Sequence, residues 1–147
     1  MHSLPVNIAA WAEIIEMIGE NGLFAPSYNS HTTFRKACGA VGNQVGHHII
    51  PFHEIVQSHP LMQMAFRAGF DPNNAAINGK AIEAVRNSGN HYSYANKIKS
   101  KFDDEFSIPP PGGWDPKSSK LRLEKVITEI KKAIDAQPGV HVDDLIF

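Results

Sequence analysis

Two histidines, His47 and His48, stand side by side at the end of a short β-type run that closes at Pro51. An imidazole, with its unperturbed pKa of about 6.5, can bind a divalent transition metal or take a proton from water at neutral pH. Adjacent imidazoles can therefore divide the labour of metal-assisted hydrolysis. The chain holds eight histidines, and random placement alone gives about 0.4 adjacent pairs, so the context must carry the weight. Successive side chains of a regular strand point to opposite faces. His47 and His48 can reach one phosphate only if the strand is distorted there or ends there, and Gly46 and Pro51 permit either.

A second pair lies downstream, Asn87 and His91, four residues apart. At or just inside a helix start that spacing puts both side chains on one face. Histidine nitrogen suits divalent transition metals, and an amide carbonyl suits harder ions such as Mg²⁺. The plainer reading has Asn87 and Ser88 capping the helix and His91 on the surface. His53, just beyond Pro51, can line a site or bind a phosphate. His31, His59 and His141 read as structural or surface residues. Six basic residues between positions 61 and 102, Arg67, Lys80, Arg86, Lys97, Lys99 and Lys101, face only Asp71 and Glu83 in acid. Arg86, Lys97, Lys99 and Lys101 are expected to contact nucleic acid, with a solvated helix face as the plainer alternative.

The elements that must position these residues follow from periodicity. Asn7 to Glu20 reads as a helix with Asn21-Gly22 as its stop. Leu23 to Asn43 reads as loop with one helical turn near Thr33 to Ala37. Val45 to Ile50 suits a short strand. Pro60 opens a helix to about Ala68, burying Leu61, Met64 and Ala65. Residues 69–74 form a turn, and Asn78-Gly79 favours a tight turn. Ala81 to Val85 fits a brief strand or a helical turn. A helix from Asn90 to Phe106 buries Tyr94, Ile98 and Phe102. The stretch 109–116 is a Pro/Gly connector. Asp115 then caps a final helix over 117–137, with Leu123, Ile127, Ile130 and Ile134 on its inner face.

The whole reads as one domain, 1–147, of α+β class and mainly helical. Composition is ordinary for a globular protein, 42% hydrophobic and 20% charged, and the net charge of −1 excludes coating nucleic acid by bulk electrostatics. Cys38 is the only cysteine, so neither an internal disulfide nor a cysteine-rich zinc module can form. No ordinary signal peptide and no membrane segment is expected, which points to the cytoplasm.

Taken in order, Gly46-His47-His48-Ile49-Ile50-Pro51, Gly69-Phe70-Asp71-Pro72-Asn73, Ile77-Asn78-Gly79 and Ser88-Gly89-Asn90-His91 with Tyr94 resemble the AHH family of nucleases. That family lies within the HNH/endonuclease VII superfamily. The similarity runs from about Gly42 to Phe102, within a core of about 42–106. The resemblance implies a ββα-metal fold, here with added N-terminal and C-terminal helices, and a metal-dependent DNA endonuclease. It implies His47 as a metal ligand, His48 as the general base and Asn78 as the residue that pins the loop behind it. His91 becomes a second ligand, with Asn87 in the remaining ligand position. Gly46 stands where the family has alanine, a change expected to be harmless. Asn87 stands where many relatives have histidine, which shifts the expected cofactor to Mg²⁺ or Mn²⁺, ahead of Zn²⁺ or Ni²⁺. It further implies a bacterial toxin or effector, delivered by a specialised secretion system and neutralised by a cognate immunity protein. RNA cleavage, or a non-catalytic metal-stabilised module that binds nucleic acid, are the alternatives.

Overall fold

The computed structural model describes residues 30–147; the helix expected over Asn7 to Glu20 lies outside them. Ser30 accepts a hydrogen bond from Thr33 N and so caps α1, His31–Ala37. This helix is longer than the single turn expected. β1, Gln44–His48, follows, and then two helices, α2, Glu54–Gln57, and α3, Pro60–Arg67. His59 caps α3 by accepting from Leu61 N, and Pro60 takes the first helical position, where no intrahelical N–H is required.

The tight turn expected at Asn78-Gly79 does not form. Residues Ala75–Asn78 make a short helix, α4, that runs directly into β2, Gly79–Glu83. Gly79 is extended, with φ −113°, because it pairs in the sheet opposite His48. A 3₁₀ turn, Ala84–Arg86, then leads to α5, Tyr92–Phe106. Both readings of 81–85 thus hold a part: the strand stops at Glu83 and a turn of helix follows.

α6, Pro116–Ala136, starts on a capping box made by Asp115 and Ser118. The α6 range expected from the connector and its apolar line is right to within one residue at either end. A final 3₁₀ turn, Val142–Asp144, lies against α5.

The architecture is α+β and mainly helical, around one antiparallel pair of strands. Pairing is regular from Gln44↔Glu83 to His48↔Gly79, with no bulge. The core joins Ile49 and Ile50 to Leu61 and Met64 of α3, Tyr94, Ile98 and Phe102 of α5, and Leu123, Ile127, Ile130 and Ile134 of α6. Among the described residues, the apolar stripes read from periodicity are buried there. α3 packs chiefly on α6, which encloses the far side of the core. Among the described residues no helix is long and apolar enough to cross a membrane.

Gly46 has a firmer reason than small size. A Cβ there would lie 2.9 Å from Phe34 Cδ2 and 3.0 Å from the Arg35 Cα, so α1 seats directly on the bare backbone of β1. Alanine would not fit here without a shift of α1, because a helix backbone cannot yield as a flexible side chain can.

Candidate metal centre

β1 ends at His48, and its last two side chains part as alternation requires. His47 turns toward α5, with its ring 5.0 Å from Tyr94 and 6.1 Å from His91, centroid to centroid. His48 turns toward α1, where its ring stacks on Phe34 at 3.6 Å and meets Phe52 edge-on at 5.1 Å. No distortion brings the two rings together. Both nevertheless line one cleft of roughly 270 Å³, shared with His31, Gly46, Pro51, Asn87, Gly89 and His91. The strand ends at the mouth of that cleft, which meets the second of the two geometric conditions.

Asn78 supports this end of the strand from below. It is fully buried. Its Oδ1 accepts from Ile50 N at 2.8 Å, and its Nδ2 donates to Ile50 O at 3.1 Å and to Pro72 O at 2.9 Å. The Tyr94 hydroxyl donates to the Ile49 carbonyl from the other side. The backbone immediately after the histidine pair is therefore held at both residues 49 and 50.

Asn87 and His91 do not share a helix face. Asn87 closes the 3₁₀ turn, and His91 precedes α5 in the left-handed region at φ 60°. A residue in that conformation cannot continue a helix, so α5 begins at Tyr92 rather than Asn90. The loop nonetheless brings both to the cleft. His47 Nδ1–H donates to Asn87 Oδ1 at 2.7 Å.

Electrostatics keeps these rings neutral. Burial pushes the His47 pKa down to about 3, against a smaller upward pull from the Asn87 hydrogen bond. Burial likewise takes His48 down to about 4, opposed by a side-chain hydrogen bond with Asn73. His91 is lowered too, chiefly by burial, while Asp143 pulls it upward. Neutral imidazoles retain the lone pair that a metal or a proton requires.

His47 Nε2 and His91 Nδ1 are buried without a hydrogen-bond partner. Leaving such atoms unpaired costs roughly 1–3 kcal/mol each, and a cation beside them would remove the deficit at His47. Two imidazoles sharing one tetrahedral ion place their centroids roughly 5 Å apart, within reach of the 6.1 Å found. His47 Nε2 thus offers a divalent ion one unpartnered imidazole donor, with the His91 ring close by. Among the described residues no group of three or more His, Cys, Asp or Glu side chains is arranged as a metal cage.

The expected phosphate-contacting residues are placed otherwise. Arg86 is 6% exposed, and its guanidinium donates to the carbonyls of Ile134, Gln137 and Val140. It closes the C-terminal end of α6, where orphan carbonyls need donors. Lys97 donates to the carbonyls of Asp143 and Leu145. Lys99 pairs with Asp103 and Lys101 with Glu129. Arg86 and Lys97 thus hold the C-terminal segment, while Lys99 and Lys101 stand in part-exposed ion pairs.

Sequence reasoning missed His31, which lines the cleft, and the pair His141 and Asp143. His141 Nε2–H donates to Ser88 O at 2.7 Å, bracing the loop between Asn87 and His91. Asp143 Oδ1 lies 4.0 Å from His91 Nδ1. No local pattern marks these residues, since the contacts span about fifty positions of chain. His53 caps α2 without a side-chain bond and meets Tyr92 edge-on at 5.1 Å, next to the cleft rather than in it. His59 is structural, bonded to Leu61 N and Asp103. Comparison with known proteins gives no match, whether to a family model, a curated protein or a solved structure.

Proposed function

We propose that this chain is a metal-dependent endonuclease, hydrolysing phosphodiester bonds of DNA. The observation that carries the reading is the meeting of His47, His48 and His91 in one cleft, with an unpartnered buried nitrogen on His47. His47 and His48 both end β1 and His91 stands just before α5, with β2 between them in the chain, an order that a ββα-metal arrangement would use. His47 and His91 would hold the ion, with Asn87 beside them. A divalent ion there would supply charge stabilisation as negative charge builds on the phosphate in the transition state.

His48 is the group that takes the proton from the attacking water. It is neutral at physiological pH and therefore ready to accept, and burial makes it a weaker base than a solvated imidazole. Asn78 holds the strand end, and with it the backbone of the pair. The donors present, imidazole nitrogens and one amide oxygen, suit Mn²⁺, Zn²⁺ or Ni²⁺ better than Mg²⁺, which takes mainly oxygen ligands. The AHH resemblance adds a toxin or effector role with an immunity protein as partner.

The test is incubation of the full chain with plasmid DNA and total RNA in Mg²⁺, Mn²⁺, Zn²⁺, Ni²⁺ or EDTA. Nicking that requires metal, and that falls by about 100-fold or more in His48→Asn, supports the reading. Cleavage of RNA alone changes the substrate. Metal-dependent stabilisation without cleavage of either polymer leaves the non-catalytic module, and wild-type cleavage by His48→Asn sinks the assignment of the base.

A further inference from the structure

The two cleft imidazoles share a feature at Nδ1: each faces an oxygen of a neighbouring side chain. For His47 it is Asn87 Oδ1 at 2.7 Å, and for His91 it is Asp143 Oδ1 at 4.0 Å. The first is a hydrogen bond; the second is too long for one, so His91 Nδ1 faces the carboxylate's charge without a hydrogen-bond partner. Nδ1 and Nε2 stand on opposite sides of the ring, so Asn87 Oδ1 on Nδ1–H lies roughly 4.8 Å from Nε2, farther than two ligands at about 2.1 Å from one ion can span. It could join that ion only by stranding a donor on a ring that is 3% exposed. We propose that Asn87 is a positioning residue and not a ligand, fixing His47 as the Nδ1–H tautomer so that Nε2 takes the ion, and that the Asp143 carboxylate, 4.0 Å from the unpartnered His91 Nδ1, favours the same tautomer there through its charge. The inference rests on the metal-site reading above and assigns the protein ligands as imidazoles alone.

Asp143 is well held for this role. Tyr94 N donates to Asp143 Oδ1 at 3.2 Å, and Lys97 donates to its carbonyl at 2.6 Å. Its own N–H donates to His141 Nδ1 at 3.0 Å, while His141 Nε2–H reaches Ser88 O. Asp143 is thus tied through its carboxylate to the first turn of α5, and through its backbone N–H and His141 to the loop that bears Asn87 and His91. A carboxylate or carbonyl behind a ligating histidine sets its tautomer and raises its basicity. Asp143 lies outside the stretch that resembles a nuclease core, so the site extends into the C-terminal segment.

The experiment is nitrogen-15 NMR of the histidine rings in the full chain, metal-free and then with Zn²⁺. The expected metal-free spectrum has His47 protonated at Nδ1. Asn87→Asp keeps that tautomer, and Asn87→Leu, which lacks an acceptor, loses it. On adding Zn²⁺, Nε2 of His47 and of His91 should shift while the His47 Nδ1–H signal persists. Asp143→Asn should weaken Zn²⁺ binding by about 10-fold or more with an unchanged circular dichroism spectrum. A His47 proton on Nε2, loss of the Nδ1–H signal on Zn²⁺ binding, or wild-type affinity in Asp143→Asn overturns the proposal. Failure of the metal reading itself looks different: the Nδ1–H tautomer is present and no ring nitrogen responds to Zn²⁺.

Discussion

Replacing Asn78 is the sharpest way to ask whether the loop between the strands is held as described. Its side chain makes three hydrogen bonds, to Ile50 N, Ile50 O and Pro72 O, in a position with no solvent exposure. Asn78→Ala leaves one N–H and two carbonyl oxygens without those partners. A neutral hydrogen bond contributes about 0.5–1.5 kcal/mol net, and a stranded buried group costs about 1–3 kcal/mol. Allowing for relaxation, the loss is about 3–4 kcal/mol. A domain of this size has roughly 5–15 kcal/mol to lose, so the variant should still fold. Urea unfolding at pH 7, followed by circular dichroism, should show a midpoint lower by about 1.5 M or more. Asn78→Asp adds a second check. Burial against two carbonyl oxygens raises the pKa of the introduced carboxyl in the folded state. A group raised in this way favours the fold below its unfolded pKa and loses that contribution as pH rises through the folded value. The deficit of Asn78→Asp relative to wild type should therefore shrink from pH 7 to pH 5. An Asn78→Ala cost below about 1 kcal/mol would refute the account of how the loop is held.

Three further outcomes follow from the same structure. His47 has its folded pKa lowered to about 3 from 6.5. The unfolded chain thus gains a proton that the fold refuses, and stability should fall as pH drops from 6.5 toward 3, by about 1.4 kcal/mol per unit for this group. Urea unfolding of the metal-free chain at pH 7.5, 6.5 and 5.5 measures that slope, and it should flatten by about one proton in His47→Phe. Gly46→Ala should cost about 1–3 kcal/mol through its contact with α1, and an unchanged thermal midpoint would contradict that packing. Arg86→Met should destabilise by about 2–4 kcal/mol by freeing three carbonyls. The same change should leave the salt dependence of nucleic-acid binding unaltered, whereas a phosphate contact would reduce its slope by about one.

Local patterns read well where the physics was local. Pro60 and Asp115 announced the starts of α3 and α6, because a missing N–H and a capping carboxylate act within one turn of chain. The stripes Tyr94, Ile98, Phe102 and Leu123, Ile127, Ile130, Ile134 are buried as helical spacing requires. Asn78-Gly79 misled because a dipeptide's turn preference is weak against three buried hydrogen bonds and a sheet partner. The start of α5 was misplaced because nothing in Asn90-His91 signals a left-handed histidine.

The histidine pair shows the same division. Sequence alone placed His47 and His48 in a short strand read as Val45 to Ile50, required that strand to distort or end there if both were to reach one phosphate, and put Asn87 and His91 near enough in chain to act together; the strand in fact stops at His48. It also supplied the family resemblance on which the functional reading leans. Tertiary structure decided that His47 goes to α5 and His48 to α1, with both bordering one cleft. It decided that Arg86 and Lys97 bind backbone carbonyls rather than standing free. It also decided that His31, His141 and Asp143 belong at or beside the site. The reason is one of range: spacing encodes which face a side chain takes, while its partner, charge state and access to solvent depend on chain about fifty residues away.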